Sequence, residues 1–380
     1  MSRTKSGTFF LYMVISQIIA ILEEWAPTWA AMDWDNVGLQ VGDAHRRVSK
    51  VLVALEVTPK VIDEALAKKT ELIITHHPLL FHPVSSVIGS DSIGRMVLKL
   101  AENKIALYSV HTNLDFTKGG VSFVLAERLG VQNIRFLKPL ENTLAKIIVF
   151  VPETHLNIVR NAMAQTGAGV IGEYSLCSFA SKGEGTFVGS STSHPSVGKK
   201  EKLEVVQEIR LEMVAPRAKV RSVVSAMKDV HPYEEVAYDV VNLETPSSSF
   251  GEGAIGELKK PIPLRAFLKH TKRLLKTSCL RYCGNLSAPI QRVAVCSGAG
   301  SNTISDALRS KADVLVTADV GYHKFQGIAG SLALVDAGHW ETEQIIVPVI
   351  VHRIQQALTQ TDSQVKVYAS QINSNSIQMY

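Results

Sequence analysis

Three short stretches of the chain gather residue types that do metal or acid–base chemistry: Thr75-His76-His77-Pro78, His111-Thr112-Asn113-Leu114-Asp115, and Asp336-Ala337-Gly338-His339-Trp340-Glu341-Thr342-Glu343. Two adjacent imidazoles leave a strand end in different directions, so they can serve neighbouring metal ions rather than crowd one; a polar surface turn gives the same pattern. Asp115 either completes a coordination begun by the imidazoles or caps the next helix, which is expected to start several residues later, near Gly119. His339 and Glu343 stand four apart, on one face of a helix expected to run on to Leu358. They offer a nitrogen and an oxygen donor, and a carboxylate can bridge two cations. The competing reading makes Glu341 or Glu343 a residue that answers the helix dipole. Taken together, His76, His77, Asp115, His339 and Glu343 point to a site for two divalent ions. Three imidazoles and two carboxylates suit zinc, iron or manganese better than calcium or magnesium. Two such ions about 3.5–4 Å apart would lower the pKa of water held between them.

The elements that must position these residues are short β-rich runs alternating with helical ones, the grammar of strands that cross over through helices. Strands are expected at Lys50–Val57, Glu71–Thr75 and Ile105–Val110. Between them come a helix capped by Thr58 with Pro59 in its first turn and another over Ile93–Asn103. A third helix, opened by Gly119-Gly120, should end near Gly130. The same grammar returns at Arg292–Cys296, Ala312–Thr317, Leu332–Asp336 and Gln364–Tyr368. The segment between reads as an α+β module: strand Leu144–Val151, helix Glu153–Thr166, strand Val205–Val214, helix Ala218–Val230, strand Val236–Val241. Gly183, Gly185, Gly189 and the polar run Ser190–Ser193 read as an exposed loop within it. The fold class is therefore α/β, two halves forming one metal-binding body (residues 1–135 and 246–380), interrupted by an inserted α+β domain (136–245).

Composition narrows the class. The chain has 380 residues, 46% hydrophobic and 20% charged, enough for two or three cores. A net charge of +5, evenly scattered, gives no electrostatic footprint for nucleic acid. Cys177, Cys279, Cys283 and Cys296 form no Cys-x-x-Cys pair and read as reduced, mostly buried thiols. The apolar stretch Thr8–Leu22, behind Arg3 and Lys5, superficially resembles a signal peptide, but it is too short to span a bilayer. Ile15, Ile18, Ile19, Leu22 and Trp25 recur at helical spacing with Ser16, Gln17, Glu23 and Glu24 opposite, so an amphipathic helix and a cytoplasmic, non-membrane protein are expected.

With these motifs in order, joined by Trp34-Asp35-Asn36-Val37-Gly38-Leu39 and Val295-Cys296-Ser297-Gly298-Ala299-Gly300, the chain resembles the GTP cyclohydrolase 1 type 2 homologues, also called Ngg-interacting factor 3-like proteins. The resemblance implies a dinuclear metal site with ligands at His76, His77, Asp115, His339 and Glu343, and a toroidal homohexamer whose sites face an internal cavity. It also implies that the insert is PII-like and lies over the openings of the ring; Val230-His231-Pro232-Tyr233-Glu234-Glu235-Val236 looks like that domain's closing turn. His231 and Glu234 read as turn residues rather than ligands. Asp319 and His323 match another family motif and are candidates to line the pocket, or else a helix cap and a surface imidazole. The sequence departs from the family pattern at Glu56, where Asp is usual, at Ala254, often Arg, and in the tail Ile372–Met379, which lacks Asp-Pro-Phe.

Three functions fit these residues. One is a metal-dependent, GTP cyclohydrolase-like hydrolase acting on a nucleotide-like small molecule. Another is a non-enzymatic metal storage or delivery protein, and the last a regulatory adaptor held together by its metals. Against the first stands the lack of a Gly-x-x-x-x-Gly-Lys-Ser/Thr loop; the Gly/Ser turn Ser297–Asn302 is the nearest substitute for one.

Overall fold

The computed structural model describes residues 13–361 and 363–378. The chain divides into two compact units, one made of residues 1–138 and 249–380, the other of residues 139–248.

The first unit is built on two sheets and a two-stranded ribbon. In the five-stranded sheet, Lys366–Ala369, Lys50–Ala54, Leu72–Thr75 and Ala106–Ser109 run parallel and Gly38–Val41 closes one edge antiparallel. In the six-stranded sheet, Pro289–Val295, Val314–Thr317 and Ala333–Asp336 form a parallel core. Arg281–Cys283 pairs antiparallel on one side and Gly251–Pro263 on the other, with Val131–Pro139 beyond it.

These central strands read as continuous apolar runs because both faces are covered. Alternate side chains go to different cores: Val51, Val53, Leu72 and Ile74 pack with Val293, Val295, Val314 and Val316 in the large core shared by the two sheets. Leu52, Ala54, Ile73 and Leu107 point the other way onto the helices Pro59–Lys68 and Ser92–Glu102. Ala294, Leu315 and Leu334 fill a separate core on the outside of the second sheet. The helix Ile15–Trp25 buries Ile15, Ile18, Leu22 and Trp25; the part of the apolar stretch before residue 13 lies outside the described residues. Thr58 caps the helix Pro59–Lys68 by accepting from the Val61 N–H, with Pro59 in its first turn.

The helix expected near Gly119 starts at Val121, several residues after Asp115, and a short helical turn, Thr112–Asp115, comes before it. One expectation changes in this unit. The helix opened by His339 stops at Glu343, passes through a 3-10 turn, Gln344–Ile346, and restarts as Val347–Thr359. Pro348 supplies the reason, since it has no N–H to donate to the preceding turn.

The second unit is a four-stranded antiparallel sheet, in the order Tyr238–Leu243, Leu144–Val151, Leu203–Pro216, Phe179–Val188. The helices Leu156–Gln165 and Val220–Val230 pack with it, burying Val159, Met163, Val223 and Met227 against Ile147, Val149, Leu211 and Met213. Gly183 and Gly185 are not in a loop: they pair with Glu208 and Val206 inside the strand Phe179–Val188, and only Gly189–Ser193 lies beyond it. The glycines hide the alternation by which a strand is recognised. His231 is a buried structural histidine that bonds the Phe150 carbonyl at 3.0 Å. Of the four thiols, all unpaired, Cys296 alone is buried and Cys279 is exposed, which corrects the expectation of mostly buried cysteines. Among the described residues no helix is long and apolar enough to cross a membrane.

Candidate metal centre

The residues singled out by chemistry sit just past the C-terminal ends of parallel strands of the first unit, where open α/β sheets place their ligands. His76 and His77 follow Leu72–Thr75, His111 and Asp115 follow Ala106–Ser109, and His339 and Glu343 follow Ala333–Asp336. The first four come from one sheet and the last two from the other.

Glu343 is where they meet. Its Oε2 lies 2.8 Å from His77 Nε2 and 3.1 Å from His339 Nε2, and its Oε1 is 3.9 Å from His76 Nε2. Asp115 Oδ1 stands 3.7 Å from the same His76 nitrogen. Gly298 makes room for this carboxylate: it has φ +58°, and a Cβ there would overlap Glu343 Oε1 and lie 3.2 Å from His339 Nε2. His76, His77 and His111 bring ligand nitrogens together, as do His77 and His339 with Glu343, each set within 4.8 Å.

Every imidazole is held from behind. The Nδ1 of His76 is 2.8 Å from the Val110 carbonyl, that of His77 3.2 Å from Glu56, that of His111 2.9 Å from Asp35 and that of His339 2.6 Å from Asp319. A carbonyl or carboxylate only accepts, so each Nδ1 carries the hydrogen and donates. Such backing fixes the tautomer and turns Nε2 toward the centre, the usual arrangement of metal-bound histidine. His76 Nε2 and Asp115 Oδ1 are buried without a hydrogen-bond partner. Two orphaned ligand atoms facing each other across 3.7 Å are costly unless a cation lies against them.

The charges tell the same story. Burial pushes the pKa of His76 down to about 3, which keeps it neutral. Burial and the Glu343 charge hold the Asp115 carboxyl well above the usual range. Glu343 is opposed by burial, but His339 and His77 outweigh it and keep it ionised. Burial also works against charge on His77 and His339; the carboxylates win, Glu343 with Glu56 and with Asp319, and lift them to about 10 and about 9. With no cation present, protons on these two imidazoles neutralise Glu343. A divalent ion would take their place.

His111, Glu56 and Asp35 are the residues that ligand spacing did not single out. His111 leads the motif ending in Asp115, and it belongs to the imidazole cluster. Asp35 is locked onto His111 and onto the Thr112 N–H, and although burial opposes its charge these bonds hold its pKa at about 2. Asp319 buttresses His339, whereas His323 is an exposed imidazole near Gln326 and stays outside the cluster. In the Ser297–Asn302 turn the Ser297, Gly298 and Gly300 N–H groups donate to the Ser122, Thr342 and Thr317 hydroxyls, which leaves fewer donors for a phosphate.

A cavity of about 760 Å³ opens at the cluster, lined by His77, His111, Asp115, His339 and Glu343 together with Trp34, Phe81, Glu252 and Asn302.

The family model described as Duf34/NIF3 (NGG1p interacting factor 3) matches residues 13–376. A protein of Halalkalibacterium halodurans named GTP cyclohydrolase 1 type 2 homolog is 38% identical over 360 residues, 94% of this chain and 96% of its own length. The Bacillus subtilis protein of that name is 36% identical over 361 residues, with 94% and 96% covered. The crystal structure of a Bacillus cereus protein related to NIF3 superposes with a TM-score of 0.84 at 37% identity, covering 97% of this chain and 99% of that one. The chain is therefore a member of the Duf34/NIF3 family.

Proposed function

We propose that this chain holds two divalent metal ions, zinc, iron or manganese, on His76, His77, Asp115, His339 and Glu343, with His111 as a further donor, and that it is a metal-dependent hydrolase of a nucleotide-like small molecule. The observation that carries the reading is the pair of buried, unpartnered ligand atoms, His76 Nε2 and Asp115 Oδ1, among four imidazoles whose outer nitrogens are all anchored. The donor set fits the proposed metals: imidazole nitrogens with carboxylate oxygens are borderline ligands, unlike the all-oxygen shells of calcium and magnesium. When bound, such ions supply Lewis acidity and water activated at neutral pH. The protein's own part is to fix the ligands, keep Glu343 ionised and leave a cavity of about 760 Å³ open above them. The relatives' name supports a nucleotide-like substrate, and the family resemblance supports a homohexameric ring and a PII-like character for residues 139–248.

The test is elemental analysis of protein purified without added metal, followed by assay of formate release from GTP. Close to two ions per chain and turnover abolished by His76→Ala are expected. Fully metallated protein that releases no formate, or residual turnover indifferent to His76→Ala, removes the hydrolase. Rapid transfer of the ions to an acceptor by such an inert protein would assign it to metal delivery instead.

A further inference from the structure

The cavity over the cluster has an uneven wall. Trp34 lines it and is 57% exposed, although the residues on either side of that ring are firmly held. Asp35 is turned inward: its carboxylate accepts from the Thr112 N–H at 3.0 Å and from His111 Nδ1 at 2.9 Å, with its side chain wholly buried. Met32 N–H donates to Thr112 Oγ1 at 3.0 Å, and the Asn36 side-chain amide donates to the Leu80 carbonyl, beside Phe81. Gln40 Oε1 accepts from the Leu79 and Leu80 N–H groups at 2.8 and 3.1 Å. The segment bearing Trp34 and the one bearing Phe81 are thus tied to each other and to the imidazole cluster.

The rings are arranged as a platform. Phe81 meets Trp34 at a centroid distance of 5.7 Å and an angle of 57°, and His111 meets it at 6.3 Å and 72°. Tilted and edge contacts of this kind pack the ring against its neighbours, and with 57% of Trp34 exposed much of the indole stays accessible. An indole packed against two rings and still exposed on a cavity wall is partly pre-organised for stacking, since less entropy is lost in holding it when a ligand arrives. The wall also carries hydrogen-bonding groups suited to the edge of a flat ring: Glu252, which accepts from the Asn302 amide, and Ser301.

We infer that Trp34, backed by Phe81 and His111, is the stacking platform that grips a planar heteroaromatic ring, such as a purine, and holds it over the candidate metal centre. The inference rests on the reading of that centre as a metal-dependent site for a nucleotide-like molecule and names the part of the ligand this chain grips. Trp34 is a positioning and specificity residue: it touches the ring and carries out no step.

The experiment is titration of the metal-loaded protein with inosine and, separately, with ribose, followed by tryptophan fluorescence and calorimetry, in wild type, W34F and W34L, with metal content and oligomer mass measured for each. Inosine should bind saturably and quench the wild type, and ribose should not. W34L should weaken inosine by about 5- to 150-fold, the range expected for loss of one base–aromatic stack, while W34F stays within a few-fold of wild type and both retain their metal. No saturable inosine binding, or equal binding by W34L, overturns the platform. A fall in oligomer mass in W34L, with inosine binding absent throughout, also overturns it and assigns the rings to contact with a second copy. Metal uptake with no Trp34-dependent inosine binding sinks this inference alone; Trp34-dependent binding by a protein that takes up no metal sinks the metal reading alone.

Discussion

Glu343→Gln is the sharpest perturbation the site offers, because one buried carboxylate is shared by two imidazoles at 2.8 and 3.1 Å. In metal-stripped protein the substitution keeps the shape and removes the charge that His77 and His339 were protonated to meet. Breaking a buried charge pair by deleting one partner costs about 3–5 kcal/mol. The loss has a pH signature. Both imidazoles have folded pKa values raised, to about 10 and about 9, above the ordinary 6.5, so the stabilisation they contribute is fully present below about pH 6.5 and is lost as pH rises through 9 to 10. The gap between wild type and variant should therefore be widest in mild acid and close on the alkaline side. Urea unfolding read by tryptophan fluorescence suits the test, since Trp25, Trp29, Trp34 and Trp340 all belong to the first unit. A gap under about 1 kcal/mol at pH 6, or one that stays constant to pH 10.5, would refute the assignment of Glu343 as the charge that holds these protons.

The remaining expectations concern its neighbours. Asp115→Asn should bind less metal yet leave the stripped protein as stable as wild type or more so, since it removes a half-buried carboxyl whose buried Oδ1 has no partner; elemental analysis and urea melts on one preparation decide it, and a stripped variant weaker by more than about 2 kcal/mol would contradict it. Glu56→Ala frees His77 Nδ1 and should cost roughly 10- to 100-fold in metal affinity, read by competition with a chromogenic chelator, with unchanged affinity counting against the anchoring role. Gly298→Ala should lose metal although it touches no proposed ligand covalently, because its Cβ would displace Glu343 Oε1 and its φ of +58° strains any other residue; full metal occupancy would show that the carboxylate has room to move.

The strands around the site were legible because burial on both faces leaves a signature in composition: Lys50–Ala54, Leu72–Thr75, Val314–Thr317 and Ala333–Asp336 are short apolar runs bounded by turn residues. The helix Pro59–Lys68 announced its start with Thr58 and Pro59. Phe179–Val188 was not legible. Of its ten side chains two are absent at Gly183 and Gly185, and none of the strand's residues is buried, so its pairing with Leu203–Pro216 is written in backbone hydrogen bonds rather than in a hydrophobic pattern.

At the site, what could be read locally and what could not divide along the same physical line. His339 and Glu343 stand four apart after a strand, and so do His111 and Asp115, the first pair spanning the turn His339–Glu343 and the second the turn Thr112–Asp115 with His111 at its N-cap; the second pair carries the same spacing signal as the first. The groups behind the rings had no such signal. Glu56, Asp35 and Asp319 lie 21, 76 and 20 residues from the imidazoles they hold, and the partner of His76 is a main-chain carbonyl, which every residue possesses. Ligands of this kind cluster at strand ends because the sheet order brings those ends together, whereas their anchors are chosen by whichever neighbouring strand end happens to lie behind each ring. Glu56 follows Lys50–Ala54, the sheet neighbour of the strand that ends at His76-His77, and Asp319 follows Val314–Thr317, the sheet neighbour of the strand that leads to His339. An acidic residue just past the strand adjacent to a candidate histidine is thus a signal that strand order, once known, converts from background into a search rule.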